Sequence, residues 1–354
     1  ACSLGGGRIM INRLDGLDVN CSCEIPTLIV HNLDQPGHVA EVTSMLAHKS
    51  VNIAAMQLYR SNRGGEAVMV VECDQEVPQE GKKCGELVYA VPGHPLVAER
   101  SVLNIINLCN ENNMSFWQVI LRADASERMA AEDVSFATMR DMYRAMKRAD
   151  AEYDKTLKSP SGLSGGDGEK MRKYNKDGKN LCGPFMGLAM EKAIKMGESN
   201  ACMKRIVAAP TAGSCGVIPA VFLAYEECFN VPEDKMVKAM FVSAGVGAVI
   251  AENASIAGAS GGCQAEIGSA SAMAAAGLAY LEGGDAECIS HAMAFALKNM
   301  LGLTCDPVCG LVEVPCIKRN SAGAVNAISS AQMAMAGIRS AITPDEVIDS
   351  MRRI

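Results

Sequence analysis

The sequence predicts an α+β protein in which a small βαββαβ module precedes a larger, mostly helical domain. Residues 25–100 alternate β-branched runs with helically spaced apolar residues. From residue 101 onward, apolar residues recur at every third and fourth position, and no convincing strand pattern follows. The length of 354 residues favours about two domains.

The small module begins with a strand, a helix and a hairpin. "IPTLIVHNLD" (25–34) is β-branched, whereas "QPGHVAEVTSMLAHKS" (35–50) has helical apolar spacing. The runs 51–61 and 66–74 flank "NRGG", whose glycines accept the positive φ of tight hairpin turns. This order predicts a strand, a helix and two antiparallel strands.

Two weaker signals complete the module. A helix over 78–91 and the short run "LVAERSVLN" (96–104) give a ferredoxin-like βαββαβ arrangement over residues 25–100. Residues 1–24 resemble the last hairpin of a domain that began upstream.

The second domain is predicted to be helical over residues 101–354. Helices are expected at 102–113, 135–157 and 185–199. Long loops rich in Gly, Ser and Pro interrupt this pattern, and such loops allow backbone to approach a ligand closely.

Composition excludes several classes of function. The net charge of -7 provides no basic surface for nucleic acid or anionic lipid. The apolar window 239–251 is shorter than a membrane span, and no secretion signal opens the chain. Fifteen cysteines in such a chain favour reduced thiols or metal ligation, and therefore a cytoplasmic protein.

Three cysteines are candidates for iron-sulfur ligation. Cys263, Cys305 and Cys316 each lie in a Gly- or Pro-containing loop, where irregular backbone can direct a thiolate at a cluster. The alternative is that they are buried cysteines of a small-residue core. The sequence has no HExxH motif, no C-x2-C pair and no phosphate-binding P-loop.

Four long segments then resemble the iron-sulfur L-serine dehydratases, also called L-serine ammonia-lyases. The resemblance covers residues 101–354, and "IPTLIVHNLDQPGHVAEV" (25–42) is similar to the start of an ACT domain. The four segments are "SGLSGGDG" (161–168), "AAPTAGSCGVIPA" (208–220), "AENASIAGASGGCQAEIGSASAMAAAG" (251–277) and "GLTCDPVCGLVEVPCIKRNSAGAVNA" (302–327).

The resemblance implies a 4Fe-4S cluster with one open iron, held by Cys263, Cys305 and Cys316, with Cys309 as a bystander. It implies a lyase that is independent of pyridoxal phosphate and converts L-serine to pyruvate and ammonia, as in serine degradation and gluconeogenesis. An open iron would act as a Lewis acid on the β-hydroxyl while a base removes the α-proton.

Hydroxyl groups of two motifs are candidates for holding the substrate. Ser161, Ser164, Thr211 and Ser214 could bind its carboxylate and ammonium, although helix capping is an equally ordinary role for Ser and Thr.

The general base stays open among three residues that lie near the motif segments. These candidates are Glu252, Glu266 and His291. For His291, a helix-face position without chemistry is the plainer interpretation.

The ACT-like module suggests regulation. Asn32, Asp34 and Gly37 could contact an amino-acid effector across a dimer interface, or could simply form the turn into a helix. The family's β region usually begins with a Ser-Ser-His-Thr type motif that is not found here. We therefore expect a separate β-region chain or a truncated protein. The alternatives are a cysteine desulfidase-like lyase and a catalytically incomplete amino-acid-sensing fragment.

Overall fold

In a computed structural model, the chain divides into two units, Ala1–Gly93 and His94–Ile354. The first unit contains the strands, and the described part of the second is helical wherever it is regular. The described residues are 2–5, 8–14, 17–21, 26–33, 38–48, 51–60, 66–74, 101–128 and 130–354.

The first strands form an antiparallel sheet of their own. β1 (Cys2–Gly5), β2 (Arg8–Leu14) and β3 (Leu17–Cys21) follow one another in the order β1-β2-β3. The sequence predicts a hairpin here, and the structure adds a third strand to it. Their origin in an upstream domain stays a prediction.

The next elements confirm the predicted strand, helix and hairpin. They are β4 (Thr27–Leu33), α1 (His38–His48), β5 (Ile53–Arg60) and β6 (Glu66–Cys73). The antiparallel sheet has the order β4-β6-β5, so the strand before the helix pairs with the second strand of the hairpin. This is the order of the first three strands in a ferredoxin-like module.

The core of this module follows from alternation along the strands. Leu28 and Val30 of β4 and Met69 and Val71 of β6 share one face, on which the apolar side of α1 packs. The predicted helix at 78–91 lies outside the described residues. Of the run 96–104, the residues 102–104 are helical and not a strand.

The second unit is built from twelve helices within its described residues. They are α2 (Val102–Asn112), α3 (Phe116–Glu127), α4 (Glu132–Ala151), α5 (Asp167–Lys176), α6 (Gly183–Ala201), α7 (Val217–Phe229), α8 (Glu233–Asn253), α9 (Gly258–Cys263), α10 (Ser269–Leu281), α11 (Ala286–Lys298), α12 (Cys316–Met335) and α13 (Pro344–Arg353). The predicted α+β class is therefore confirmed.

The end of α4 differs from the prediction. The helix stops at Ala151 rather than at residue 157. Asp154 Oδ1 accepts hydrogen bonds from the backbone N–H and the hydroxyl of Thr156. Such a local side-chain turn competes with helical hydrogen bonding and ends the helix.

Helix α10 lies at the centre of the unit and packs against α7, α8, α11 and α12. Its sequence "SASAMAAAGLAYL" is almost entirely buried, because small side chains let the neighbouring helices approach closely. Gly277 is an example, since a Cβ at this position would lie 2.3 Å from the ring of Phe222. The apolar run in α8 is a core helix: it is long and apolar enough to cross a membrane, but 67% of its most apolar stretch is buried inside the protein.

Candidate active site

Each of the four signature segments contains the start of a helix. Residues 161–166 precede α5 and residues 210–216 precede α7. A π-helical turn, Gln264–Gly268, connects α9 to α10, and α12 begins at Cys316. The first turns of helices present unpaired N–H groups and favour negative charge. Side-chain hydrogen bonds join these segments to one another.

The loop before α5 is attached to Glu313. The hydroxyls of Ser159 and Ser161 lie 2.7 and 2.8 Å from Glu313 Oε2. Glu313 is only 5% exposed. Burial acts to raise the pKa of its carboxyl, but the serine hydroxyls outweigh burial and the pKa is lowered. Ser164 is also buried, and its N–H and C=O both pair with Ser159.

The start of α5 is fixed by two more charged contacts. The buried carboxylate of Glu198 accepts hydrogen bonds from the backbone N–H groups of Asp167 and Gly168. Asp167 in turn binds Lys170 and Lys318, and these two ammonium groups lower its pKa to about 2. Lys318 lies in the first turn of α12, so the start of α5 is joined to the start of α12.

Asn320 joins the loop before α7 to the same helix. Its Oδ1 accepts the N–H of Gly216 at 2.8 Å, and its Nδ2 donates to the carbonyls of Gly213 (2.7 Å) and Cys316 (3.0 Å). The residue is 1% exposed. All of these polar groups are therefore satisfied in the interior.

Glu266 lies where the loop before α7 meets the π-helical turn. The hydroxyl of Thr211 donates to Glu266 Oε1 and lies 2.9 Å from Ser214 Oγ. A Cβ on Gly213 would lie 2.5 Å from Glu266 Oε1, and a Cβ on Gly258 would lie 2.9 Å from Oε2. A glycine of the loop before α7 and the first residue of α9 thus leave the space that this carboxylate occupies.

The three candidate thiols belong to the same region. Cys263 and Cys316 are 2% and 7% exposed, whereas Cys305 is exposed. Burial raises the pKa of the Cys263 thiol and raises that of Cys316 to about 11. Cys305 and Glu266 add to the shift at Cys263, and Cys263, Glu266 and Cys305 add to the shift at Cys316, so both buried thiols lie within electrostatic range of Cys305 and Glu266. Cys309 is exposed in a short 3-10 turn with φ of 55°.

This donor set fits an iron-sulfur cluster in its chemistry. Within the residues that the structure describes, no three His, Cys, Asp or Glu side chains are close enough together to hold a single metal ion. A cubane cluster binds each thiolate through a different iron, so its ligands are spaced more widely than those of one ion. Three thiols from three separate segments, two of them buried, are the ligand type that such a cluster requires.

The other two base candidates lie in different surroundings. Glu252 is exposed near the C-terminal end of α8. His291 lies on α11, where its Nδ1 accepts the backbone N–H of Ser340 at 3.2 Å. That bond orients the loop before α13. Glu266 contacts Thr211, one of the candidate substrate-binding residues.

A cavity of ≈ 390 Å³ opens beside Cys305. Its lining includes Ser255, Gly261, Gln264 and Thr304. This volume is within the range of small-molecule sites. The cavity therefore provides room for a ligand next to one of the three thiols.

The proposed effector site is described only in part. Asn32 belongs to β4, whereas Asp34 and Gly37 lie outside the described residues. Effector binding in this module stays a prediction.

Sequence reasoning missed the residues that connect the motifs. Glu313, Lys318, Arg319 and Asn320 all lie within "LVEVPCIKRN", which carries the resemblance, but their partners are distant in sequence. The signal that could have identified them is their polar character in a segment that is otherwise mostly apolar.

Comparison with known proteins decides the family. A family model described as "Serine dehydratase alpha chain" matches residues 111–354, and an ACT domain model matches residues 26–84. The chain belongs to the serine dehydratase alpha chain family. The resemblance seen in the sequence is thereby confirmed, including the ACT domain that precedes the α region.

Individual relatives agree with this family. The chain is 44% identical over 255 residues to a "Probable L-serine dehydratase, alpha chain" of Bacillus subtilis, covering 72% of this chain and 85% of the relative. It is 39% identical over 252 residues to the "L-serine dehydratase, alpha chain" of Peptoniphilus asaccharolyticus, covering 71% and 86%. Against "L-serine dehydratase TdcG" of Escherichia coli it is 47% identical over 162 residues, covering 45% and 36%.

Proposed function

We propose that this chain is the catalytic α region of an L-serine dehydratase that releases pyruvate and ammonia with the help of a 4Fe-4S cluster. Membership of the serine dehydratase family supports the lyase activity. The observation that supports the cluster is the grouping of the three thiols, since Cys316 lies within electrostatic range of Cys263, Cys305 and Glu266. Cys309 is proposed to be a bystander.

The chemical difficulty is that serine has a poor leaving group and a weakly acidic α-hydrogen. When bound, the cluster would supply Lewis acidity to the β-hydroxyl. The three cysteines would hold it as thiolates. No residue of the chain needs to form a Schiff base for this elimination.

The protein groups position the substrate and move its proton. Glu266 is proposed as the acid-base group, because its carboxylate is held by Thr211 within electrostatic range of Cys263 and Cys316. Thr211 and Ser214 would bind the substrate through their hydroxyls, and the N-terminal turn of α7 favours a carboxylate. Ser161 and Ser164 would keep their loop closed over the site through their contacts with Glu313 and Ser159.

The decisive experiment is anaerobic reconstitution with iron and sulfide on single Cys→Ser variants. We expect Cys263→Ser, Cys305→Ser and Cys316→Ser each to lose the cluster, as judged by iron per chain and by the visible absorption of the cluster. Cys309→Ser is the matched control, because it comes from the same loop, and it should load like the wild type. Full loading of any of the first three variants would contradict the ligand assignment.

Substrate choice has its own test. Pyruvate release from L-serine and L-cysteine is compared under anaerobic conditions with the loaded protein. The names of the relatives support serine, and a clear preference for cysteine would favour the desulfidase alternative.

Partners and location complete the proposal. The relatives are called alpha chains, which supports a separate β-region chain as the partner that completes the site. The ACT domain supports a dimer that binds a small amino-acid effector. Abundant unpaired thiols support a cytoplasmic location. If the chain turns over serine without any second chain, the β-region proposal fails.

A further inference from the structure

We propose that Arg319 is a positioning residue that holds the three cysteine-bearing segments in the arrangement that binds the cluster. The inference rests on the proposed function, because it concerns the same cluster. The Nη1 atom of Arg319 lies 3.2 Å from Cys263 Sγ and 3.2 Å from the carbonyl oxygen of Thr304. It also donates to Asp306 Oδ1 at 2.5 Å. Thr304 and Asp306 are the two neighbours of Cys305 in the chain.

The position of Arg319 in α12 completes the set. It follows Cys316 by three residues, about one turn of the helix on which both lie. Nη1 of Arg319 therefore contacts the thiol of Cys263 directly and also contacts both neighbours of Cys305. The helix that carries Arg319 begins with Cys316. Among the contacts of the described residues, this is the point at which all three cysteine segments meet.

The segment around Cys305 needs such a contact. Residues 303–307 have no regular secondary structure. At one side, Gln264 binds this segment through its N–H to Leu303 O (2.9 Å) and through its Oε1 to Gly302 N (2.9 Å). At the other side, Val308 pairs with Val314. Between these anchors, Arg319 contacts the stretch at the Thr304 carbonyl and the Asp306 carboxylate.

Holding this loop before the cluster arrives reduces the cost of binding. Each backbone residue fixed on binding costs conformational entropy. A guanidinium that already fixes the neighbours of Cys305 removes part of that cost. Its positive charge also opposes the repulsion among three thiolates, and hydrogen bonds to ligand sulfur tune the potential of a cluster.

The test compares Arg319→Ala and Arg319→Lys with the control Lys318→Ala. Lys318 is the adjacent residue on α12, but it pairs with Asp167 on a different loop. In the metal-free chain, hydrogen exchange is followed by mass spectrometry. We expect faster exchange over residues 302–307 in Arg319→Ala, and wild-type exchange there in Lys318→Ala.

Iron loading provides the second readout. After anaerobic reconstitution, iron is withdrawn with a chelator and iron per chain is measured. Arg319→Ala should hold the cluster about 10–100-fold more weakly, as expected for an outer-shell partner. Arg319→Lys keeps the charge and should recover part of that loss. The electron paramagnetic resonance spectrum of the reduced cluster should shift in both Arg319 variants and remain unchanged in Lys318→Ala.

The outcomes separate the two proposals. A wild-type chain that takes up no iron would contradict both the proposed function and this inference. A wild type that loads, with Arg319→Ala matching it in exchange, iron retention and spectrum, would overturn the role of Arg319 alone. If Arg319→Ala does not fold, Asp306→Asn tests the same contact from the exposed side, and wild-type exchange and iron retention in that variant would also contradict the inference.

Discussion

The hydroxyl of Thr211 donates a hydrogen bond to the carboxylate of Glu266, across 55 residues of sequence. This bond joins the loop before α7 to the π-helical turn that follows Cys263. Gly213 and Gly258 leave the carboxylate its space, because a Cβ on either would crowd its oxygens. The contact places an ionisable group within electrostatic range of Cys263 and Cys316.

Replacing Glu266 by Gln should abolish turnover while leaving the protein folded and loaded. The amide has nearly the same shape but cannot accept a proton, so we expect kcat to fall by about 10²–10⁴-fold. Iron per chain should match the wild type. The measurement is anaerobic pyruvate release together with an iron count.

Two other substitutions serve as controls for that prediction. Glu252→Gln and His291→Asn change the remaining base candidates, whose side chains lie at the end of α8 and against the loop before α13. Both should keep kcat close to that of the wild type. If either variant loses turnover while Glu266→Gln keeps it, the assignment of the base is wrong.

Gly213→Ala should impair catalysis without unfolding the chain. The new methyl group would lie 2.5 Å from Glu266 Oε1, so the flexible carboxylate must move away from Thr211. A displacement of about 1 Å in a catalytic group can cost about 100-fold in rate. We expect a loss of that size in kcat with a nearly unchanged midpoint of thermal unfolding. A large fall in that midpoint would instead show that Gly213 is needed for the fold.

Glu313 predicts a pH dependence of stability. Its pKa in the folded protein is lowered, because the serine hydroxyls outweigh the effect of burial. The contribution of the carboxylate is therefore fully present above the unfolded pKa of about 4.5 and is lost as the pH falls through the lower folded pKa.

The matching variant is Glu313→Gln, studied in the metal-free chain by urea unfolding. It exchanges charge-assisted hydrogen bonds for neutral ones, and we expect a loss of about 1–2 kcal/mol in unfolding free energy at pH 7. The difference from the wild type should shrink below pH ~4.5. A difference that stays constant down to pH 3 would contradict the role of the ionised carboxylate.

The sequence predicted a strand or helix correctly wherever the spacing of its apolar residues decides the structure. Apolar residues alternate along β4 and β6 and recur with helical spacing along α1, because each element buries one face. These three elements and their order could therefore be predicted. The early end of α4 could not, because apolar spacing continues while the turn of Asp154 with Thr156 ends the helix.

The candidate site was predictable in its parts but not in its connections. The thiols and hydroxyls could be chosen because they lie in loops similar to those of a known family. The pairing of Glu313 with Ser159 joins residues 154 apart, and that of Asn320 with Gly213 joins residues 107 apart. Spacing in sequence carries no information about such contacts, because they depend on how α6, α7 and α12 pack.

Asn320→Ala should be among the more damaging single changes in the helical unit. The side chain satisfies the N–H of Gly216 and the carbonyls of Gly213 and Cys316 in the interior. Each buried polar group left unpaired costs about 1–3 kcal/mol. We expect a loss of about 2–5 kcal/mol in unfolding free energy, measured with urea.

Asn320→Asp tests whether the hydrogen bonds or the volume of the side chain matters. The new carboxylate can still accept the hydrogen bond from the N–H of Gly216. Its second oxygen faces the carbonyl oxygens of Gly213 and Cys316, so repulsion replaces the two hydrogen bonds that the amide group donated. This variant should be at least as unstable as Asn320→Ala at pH 7. Gln332→Ala, at an exposed position on the same helix, should change stability by less than about 0.5 kcal/mol. If Asn320→Asp is as stable as the wild type, the proposed bridge between α12 and the loop before α7 does not hold the site together.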